Sequence, residues 1–450
     1  MDIGLWTMYL FYSLLLTLAF ILMSPLFILR REKYAAGFRQ RLGNYPEFKH
    51  DGRKIIWLHC VSVGETNAAR PLVDQIESNF PDHRLIISTT TKTGQELAQN
   101  IFKKKADAVF YFPFDWKFSV RRALRHFKPD IVLLMETEIW PRFLREAKIS
   151  GATVVIVNGR ISAKSFKRYS YVKGFVGKIL LNVDLALMQG NSDAERIEAL
   201  GITADKVKVT GNLKFDHSVD MAETELSEKL RERFGITGER KLIVAASTHE
   251  PEEKWIIDAF TSVANDLPGP QPRLLIAPRH PARFDFVADL IRTFRKNSDW
   301  SNYTFARRSE SESEDDKTAD IILLDSIGEL RSVYPLADIV FVGGSLIPHG
   351  GQSILEPAAA GKAIITGSYT HNFRAAVKEF SERDALIIVP ETPQEFQVVE
   401  RLYEIFTELL GDDKNRLELG ANALEAMEAN RGSTVKSIAH IRELFSTKIR

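Results

Sequence analysis

Beyond residue 50 the chain alternates short β-branched runs with stretches of amphipathic helical period, and it does so in two series. The first reads strand Ile55–Val61, helix Glu65–Asn79, strand Arg84–Thr90, helix Gly94–Lys103, strand Ala108–Phe112 and helix Lys117–His126. It continues through strand Ile131–Met135, helix Trp140–Lys148, strand Thr153–Val157, a helix near Tyr169–Leu181 and strand Leu185–Met188. A polar segment near Lys214 to Lys241 breaks the rhythm, which then restarts with strand-like runs at Leu242–Ala246, Leu274–Ala277, Ile321–Leu324, Ile339–Val342 and Ala363–Thr366. Strands alternating with helices form a parallel sheet covered on both faces, so the pattern predicts two doubly wound α/β domains with a cleft between them. Ligands of such sheets sit outside the carboxyl ends of the strands, and chemistry is expected there.

The length of 450 residues fits about two or three domains. Lys and Arg number 60 against 59 Asp and Glu, so no global basic field favours nucleic acid as a partner. A single cysteine, Cys60, excludes an internal disulfide framework and fits a reducing compartment. With His59 it lies in the apolar run Ile55–Cys60, where one Cys and one His make a poor zinc site, and core packing is the expectation.

From Ile3 to Leu29 no side chain ionises except the weakly acidic hydroxyls of Tyr9 and Tyr12. That run exceeds the roughly 20 residues a helix needs to cross a bilayer core. Thr7, Ser13, Thr17 and Ser24 can bond back to their own helix, and Trp6, Tyr9 and Tyr12 suit an interface. Arg30, Arg31 and Lys33 follow at once, then Arg39 and Arg41, which places that flank and the rest of the chain in the cytoplasm. A cleaved signal peptide is the competing reading. The start Met1-Asp2 lacks a basic region, the apolar stretch is too long, and no small-x-small cleavage site precedes the charges. An uncleaved signal-anchor is therefore expected. In Gly37–Gly43, Arg39 and Arg41 beside Phe38 and Leu42 suit either contact with anionic lipid or a solvated connector.

Most candidate motifs directly follow a predicted strand. Ser62-Val63-Gly64-Glu65-Thr66 places Glu65 in a first helical turn, where it can act as a general base or close a capping box with Ser62; spacing leaves both open. Met135-Glu136-Thr137-Glu138-Ile139-Trp140-Pro141 puts two carboxylates at a strand end, one for the cleft and one for the next helix. In Thr210–Asp216, Lys214 can meet developing negative charge or be a solvated hinge residue. In the second series, Arg279 and His280 end a strand with a phosphate-gripping cation, and Gly328-Glu329-Leu330 opens a helix whose N–H groups can hold a base or phosphate. Phe341-Val342-Gly343-Gly344-Ser345, followed by His349–Pro357, brings paired glycines that let the backbone approach an anion, with Glu356 placed to accept from ribose hydroxyls. The Ser-rich charged segment Ser309–Lys317 is expected as flexible surface. No Gly-x-Gly-x-x-Gly, Walker loop or Asp-x-Asp occurs, so dinucleotide and ATP binding of those kinds are unsupported and metal-independent chemistry without a cofactor is expected.

These motifs, in this order and over nearly the whole chain, resemble the bacterial Kdo (3-deoxy-D-manno-octulosonic acid) transferases of lipopolysaccharide synthesis. They are Val61–Thr66, Met135–Pro141, Gly211–Asp216, Ser247-Thr248-His249, Pro278-Arg279-His280-Pro281, Gly343-Gly344-Ser345 and Leu355-Glu356-Pro357, with the N-terminal anchor. The resemblance implies two Rossmann-like domains facing a cleft (the GT-B fold) and inverting transfer of Kdo from CMP-Kdo to lipid IVA, the lipid A precursor, at the inner membrane. It implies Glu65 as general base and Glu136 and Lys214 as stabilisers of the charge-separated transition state. It further implies that CMP is held by Arg279, His280, Ile327, Gly328, Glu329, Gly343, Gly344, Ser353, Ile354, Leu355 and Glu356. Gln352-Ser353 departs from the family's common His-Asn, and Gln40 stands where a Glu is frequent and is not expected to be catalytic.

The expected organisation is an anchor at 3–29, a basic juxtamembrane segment at 30–50, an acceptor domain at 51–213, a linker at 214–240, a CMP-Kdo-binding domain at 241–430 and a helix at 431–450. Two rival functions keep part of this frame: a GT-B enzyme using a UDP-sugar, as transferase or epimerase, and a non-enzymatic membrane-tethered nucleotide sensor.

Overall fold

A computed structural model describes residues 3–29, 36–216, 221–297, 303–392 and 394–448; Arg30, Arg31 and Lys33 fall outside the described residues. The chain divides into two units, the first made of Met1–Asp216 with Asn430–Arg450 and the second of His217–Ala429.

The first unit carries β1 (Lys54–Cys60), β2 (His83–Thr89), β3 (Ala108–Tyr111), β4 (Ile131–Met135), β5 (Thr153–Gly159), β6 (Leu185–Met188) and β7 (Val207–Val209). They form one parallel sheet in the order β3-β2-β1-β4-β5-β6-β7. The second unit repeats the plan with β8 (Leu242–Thr248), β9 (Arg273–Pro278), β10 (Phe305–Arg307), β11 (Ile321–Leu323), β12 (Ile339–Val342), β13 (Ala363–Gly367) and β14 (Ile387–Val389). Its parallel order is β10-β11-β9-β8-β12-β13-β14. In the first sheet the chain winds outward through β2 and β3, returns to the middle and winds out on the other side; in the second, β10 takes the edge before β11 fills the place between it and β9, and the chain then returns to the middle at β12. The switch points therefore fall between β1 and β4 and between β8 and β12, where crevices open at the carboxyl ends of strands.

The period of two along each strand builds the core. In β1, Ile55 and Trp57 enter one face with Phe110, Phe127 and Phe143, while Ile56, Leu58 and Cys60 enter the other with Leu72, Ile87 and Leu133. His59 is buried, stacks on Phe112 at 3.8 Å and bonds Ser88 Oγ through Nδ1 at 2.9 Å. Burial pulls its pKa down to about 3, so it is a neutral core residue. Cys60 beside it is buried and free.

Among the helices, α1 spans Ile3–Leu29, α2 Val63–Ala68, α3 Arg70–Asn79, α4 Lys117–Phe127, α5 Pro141–Ile149, α6 Glu252–Asp266, α7 Leu355–Ala359 and α8 Ser433–Lys448. The single helix expected at Glu65–Asn79 is two, because Pro71 cannot continue a helix through its missing N–H and instead sits in the first turn of α3. The segment 214–240 is not a simple linker: Leu213–Phe215 forms a turn of the first unit and Met221–Arg233 a helix of the second. Helix α8 belongs to the first unit, where Ile438 and Ile441 join the face lined by Leu72 and Ile76. The charged segment Ser309–Lys317 is also firmer than expected, since Ser313 and Asp316 close a capping box and Asp316 accepts from buried Arg233 at 2.9 Å.

Helix α1 is long and apolar enough to cross a membrane by length and composition. One of its faces is docked on the first unit. Tyr12 Oη donates to Asp115 Oδ2 (2.8 Å), Arg142 donates to Tyr9 O (2.7 Å) and Ser13 Oγ (3.0 Å), and Trp116 Nε1 donates to Thr17 Oγ1 (3.1 Å). Phe20 packs edge-on against Phe114 and Trp116. Asp115 is buried and also accepts the first N–H groups of α5, from Arg142 (2.9 Å) and Phe143 (2.7 Å). Arg41, which suited either a lipid surface or a solvated connector, turns inward: its Nε bonds Ala36 O at 3.1 Å and its guanidinium lies 4.7 Å over the Tyr111 ring. Gln40 accepts from Tyr111 N at 2.9 Å, a structural role.

Candidate active site

In the first unit, the three expected catalytic residues gather at the carboxyl edge of the sheet. Glu65 lies in the first turn of α2, directly after β1, and Glu136 directly after β4, so adjacent strands present them at the switch point. Glu65 is buried; its Oε2 accepts from Val61 N at 2.7 Å, and Ser62 Oγ stands 3.4 Å from Oε1. A capping box would take the Ser62 N–H; this carboxylate takes the amide one residue earlier, leaving Oε1 only loosely engaged. Burial pushes its pKa up to about 8, and the charges of Glu136 and Glu138 add to the rise against the bond from Val61. A carboxyl of that kind in a strand-end crevice has the character of a proton-transfer group.

Glu136 adopts a left-handed backbone with φ 55° while its N–H bonds Val157 O at 2.9 Å. A non-glycine residue held in that region is strained, and such strain concentrates at working sites. Its Oε1 accepts from Lys214 Nζ at 3.1 Å. Lys214 is held by a short turn, Leu213–Phe215, whose amides are met by two side chains: Asn158 Oδ1 accepts from Leu213 N (3.0 Å) and Asn212 Oδ1 from Lys214 N (3.0 Å). Asp216, next along, caps α8 by accepting from Gly432 N at 2.7 Å and from Thr434 N. Asn158 was not singled out in the sequence. It is fully buried with φ 58° at the end of β5, and only a polar residue inside an otherwise apolar strand hints at it.

In the second unit the glycine-rich loop departs from expectation. Its amides do not face open space for an anion. The buried carboxylate of Glu252, in the first turn of α6, accepts from Ser345 N and Leu346 N through Oε1 (both 3.0 Å), and from Gly344 N (2.7 Å) and His249 N (3.0 Å) through Oε2. Gly343 N completes the sheet by bonding Ala246 O. The glycines serve close approach: a Cβ on Gly343 would meet Ser247 O and Thr248 Cα at 2.7 Å, and Gly344 has φ 65°. Glu252 thus fixes the loop after β12 to the turn after β8, across the second switch point.

Around that junction stand three imidazoles. The His249 ring lies 4.3 Å from that of His349 and 5.2 Å from that of His280, and Gln352 Nε2 is 3.4 Å from His249 Nε2. Burial, followed by His349, His280 and Arg279, holds the pKa of His249 down to about 4. Arg279 and His280 are exposed at the end of β9, and Arg279 N bonds Thr248 O at 3.0 Å. A second group lies after β11 and at α7. Ile327 is 80% exposed, Gly328 has φ 89°, and Glu329 accepts both arms of Arg308 (2.9 and 3.0 Å) and Ser326 Oγ (2.6 Å). Arg331 approaches Glu356 at 3.7 Å, and Ser353 Oγ accepts from Leu355 N at 3.3 Å. The side chains of Ile354 and Leu355 are buried, so they serve the packing of α7 and offer a ligand backbone only. The expected donor residues therefore all lie in the second unit and the expected catalytic ones all in the first.

Two doubly wound parallel sheets, each with polar groups collected at its switch point, have the GT-B fold. A solved glycosyltransferase from Rickettsia africae shares this fold, with a TM-score of 0.56 over 88% of this chain and 99% of that one at 15% identity. The family model described as 3-Deoxy-D-manno-octulosonic-acid transferase (kdotransferase) matches residues 36–217. The chain is 33% identical to the 3-deoxy-D-manno-octulosonic acid transferase of Haemophilus influenzae over 89% of this chain and 90% of that protein. It is 33% identical to the transferase of the same name from Bordetella pertussis over 75% of this chain and 76% of that protein. The chain belongs to the Kdo transferase family.

Proposed function

We propose that this chain transfers Kdo from CMP-Kdo to lipid IVA with inversion at the sugar, on the cytoplasmic side of the inner membrane to which α1 attaches it. The supporting observation is Glu65, a buried carboxyl poised near neutral pH beside the Glu136–Lys214 pair in a member of this family. Glu65 takes the proton of the acceptor hydroxyl as that oxygen attacks the anomeric carbon. The bond from that carbon to the phosphate oxygen breaks on the opposite face, and CMP leaves with the electron pair. Lys214 is oriented toward the carboxylate edge and stabilises charge that develops there.

Arg279, His280, the Ile327–Glu329 turn, the Gly343-Gly344 loop and Ser353–Glu356 hold the donor. In this reading the loop contributes shape, because Glu252 already occupies its amides. Catalysis proceeds without metal, so a chelator leaves the rate unchanged. Mass spectrometry of the lipid formed from CMP-Kdo and lipid IVA is the test. The expected product is lipid IVA enlarged by Kdo, with CMP released; turnover of a UDP-sugar but not of CMP-Kdo would overturn the assignment.

A further inference from the structure

The inner face of α1 and the carboxyl edge of the first unit enclose a crevice of about 150 Å³. Leu16 and Phe20 line it from α1, Phe112, Phe114 and Trp116 from the segment after β3, and Trp140 from the segment after β4. Thr90, Pro113 and Asp115 complete the lining; the Asp115 carboxylate is taken up by Tyr12 and by the amides of Arg142 and Phe143, so the free surface is chiefly apolar and suits an apolar guest. The crevice lies at the carboxyl edge of the sheet: Phe112 packs 5.6 Å from Trp140, which follows Glu136 by four residues in the segment after β4. Its roof, α1, is held in place by the bonds from Tyr12, Arg142 and Trp116, while Leu10, Leu14, Leu18 and Leu22 on the opposite face are exposed.

Charge completes the match. Exposed Lys117 and Arg122 stand on α4 just beyond Trp116, while Arg41, which also lines the crevice, is engaged by Ala36 O, Thr90 O and the Tyr111 ring. An apolar seat bordered by cations complements an amphiphile with an anionic head and a hydrocarbon tail.

We propose that this crevice seats one alkyl chain of the lipid acceptor, with Leu16, Phe20, Phe114 and Trp116 as walls and Trp140 as floor. The inference rests on the acceptor being a lipid. Helix α1 is then a wall of the acceptor site as well as the membrane attachment, and the acyl chain orients the sugar hydroxyl toward Glu65.

The test uses the full chain in phosphatidylethanolamine–phosphatidylglycerol vesicles containing phosphatidylglycerol with a diazirine at one acyl terminus. In the native protein the label falls on Leu16, Phe20 or the Phe112–Trp116 segment as well as on the outward residues of α1. Leu16→Trp, which fills the crevice, loses the inner label and keeps the outer one. Leu16→Ala, which widens it, keeps both, so the loss in Leu16→Trp reports filling and not unfolding. Label confined to the outward face in the native chain, or unchanged by Leu16→Trp, would overturn the proposal.

A kinetic arm follows the acceptor. Leu16→Trp raises KM for the acylated acceptor about tenfold, the scale of a lost methylene contact or more, and leaves KM for a fully deacylated acceptor as in the native protein. Equal effects on both acceptors would make Leu16 a packing residue only. A native protein that takes the inner label but does not use CMP-Kdo would sink the donor assignment and leave the crevice standing.

Discussion

Lys214 Nζ stands 3.1 Å from Glu136 Oε1, although 78 residues separate them in the sequence. The pair is about a third exposed on each side, 30% for the lysine and 26% for the carboxylate, so its worth to folding is small. Its worth to catalysis is expected to be large. Lys214→Met and Glu136→Gln should each lower kcat by about 10²- to 10³-fold, as for other groups aimed at developing charge. The same variants should shift unfolding by no more than about 1 kcal/mol in urea titration.

Glu65 carries a pKa pushed up to about 8, chiefly by burial. A general base must be deprotonated, so kcat/KM should rise with pH and level off above that value. Glu65→Gln should abolish turnover at every pH while still binding CMP, seen as thermal protection. Stability should run the other way. Glu65 and Asp115, the latter pushed up to about 7 by burial, both bind protons more tightly in the folded state than in the unfolded one. The native state is therefore favoured most below their ordinary carboxylate values and loses that advantage as pH rises through 7 to 8. Tm should fall over this interval, and less so in Glu65→Gln.

Glu252 satisfies four backbone N–H groups that would otherwise be buried without partners. At about 1–3 kcal/mol for each unmet donor, Glu252→Ala should cost most of the stability of the second unit. Glu252→Gln keeps one acceptor oxygen and the side-chain volume. It should fold with a lowered Tm, and CMP should protect it less than the native chain because the turn after β8 and the loop after β12 are no longer tied.

Asp216 caps α8 from outside the helix. Asp216→Ala should weaken the first unit by about 1 kcal/mol, the usual worth of a cap. Hydrogen exchange should quicken at the start of Ser433–Lys448 first, since the amides of Gly432 and Thr434 lose their acceptor, and Lys214 should lose rate enhancement through its loosened turn.

The strands buried on both faces were legible because a position covered on both sides takes a continuous apolar run: Ile131–Met135, Leu185–Met188 and Ile339–Val342 form as expected to the residue. The edge strands β7, β10 and β14 were not: β7 and β10 carry a charged residue in a three-residue run, and β14 is a short apolar run among helical stretches, whereas the equally short β11 stands in a continuous apolar run. Glu65, Glu136 and Lys214 were findable as strand-end polar groups. The Lys214–Glu136 pairing was not, since no local pattern connects residues 78 apart. Glu252 escaped for a different reason. An acid in a first helical turn ordinarily serves its own helix, and here it serves a loop 92 to 94 residues away. Gly343 and Gly344 illustrate the same point, because amides beside a glycine can meet a ligand or a side chain, and Glu252 takes Gly344 N.

The bond from Gly432 to Asp216 joins residues 216 apart, with the whole second unit lying between them in the chain. At a synthesis rate of about 5–20 residues per second, roughly 10–40 s separate the emergence of the two partners. During that interval the face of the first unit that takes Ile438 and Ile441 is bare. The second unit can close around its own sheet before the first is finished. Nascent chains stalled within the second unit should therefore expose Leu72 and Ile76 to chaperones, and the transferase should gain its lysine-bearing turn only as α8 arrives to lock it.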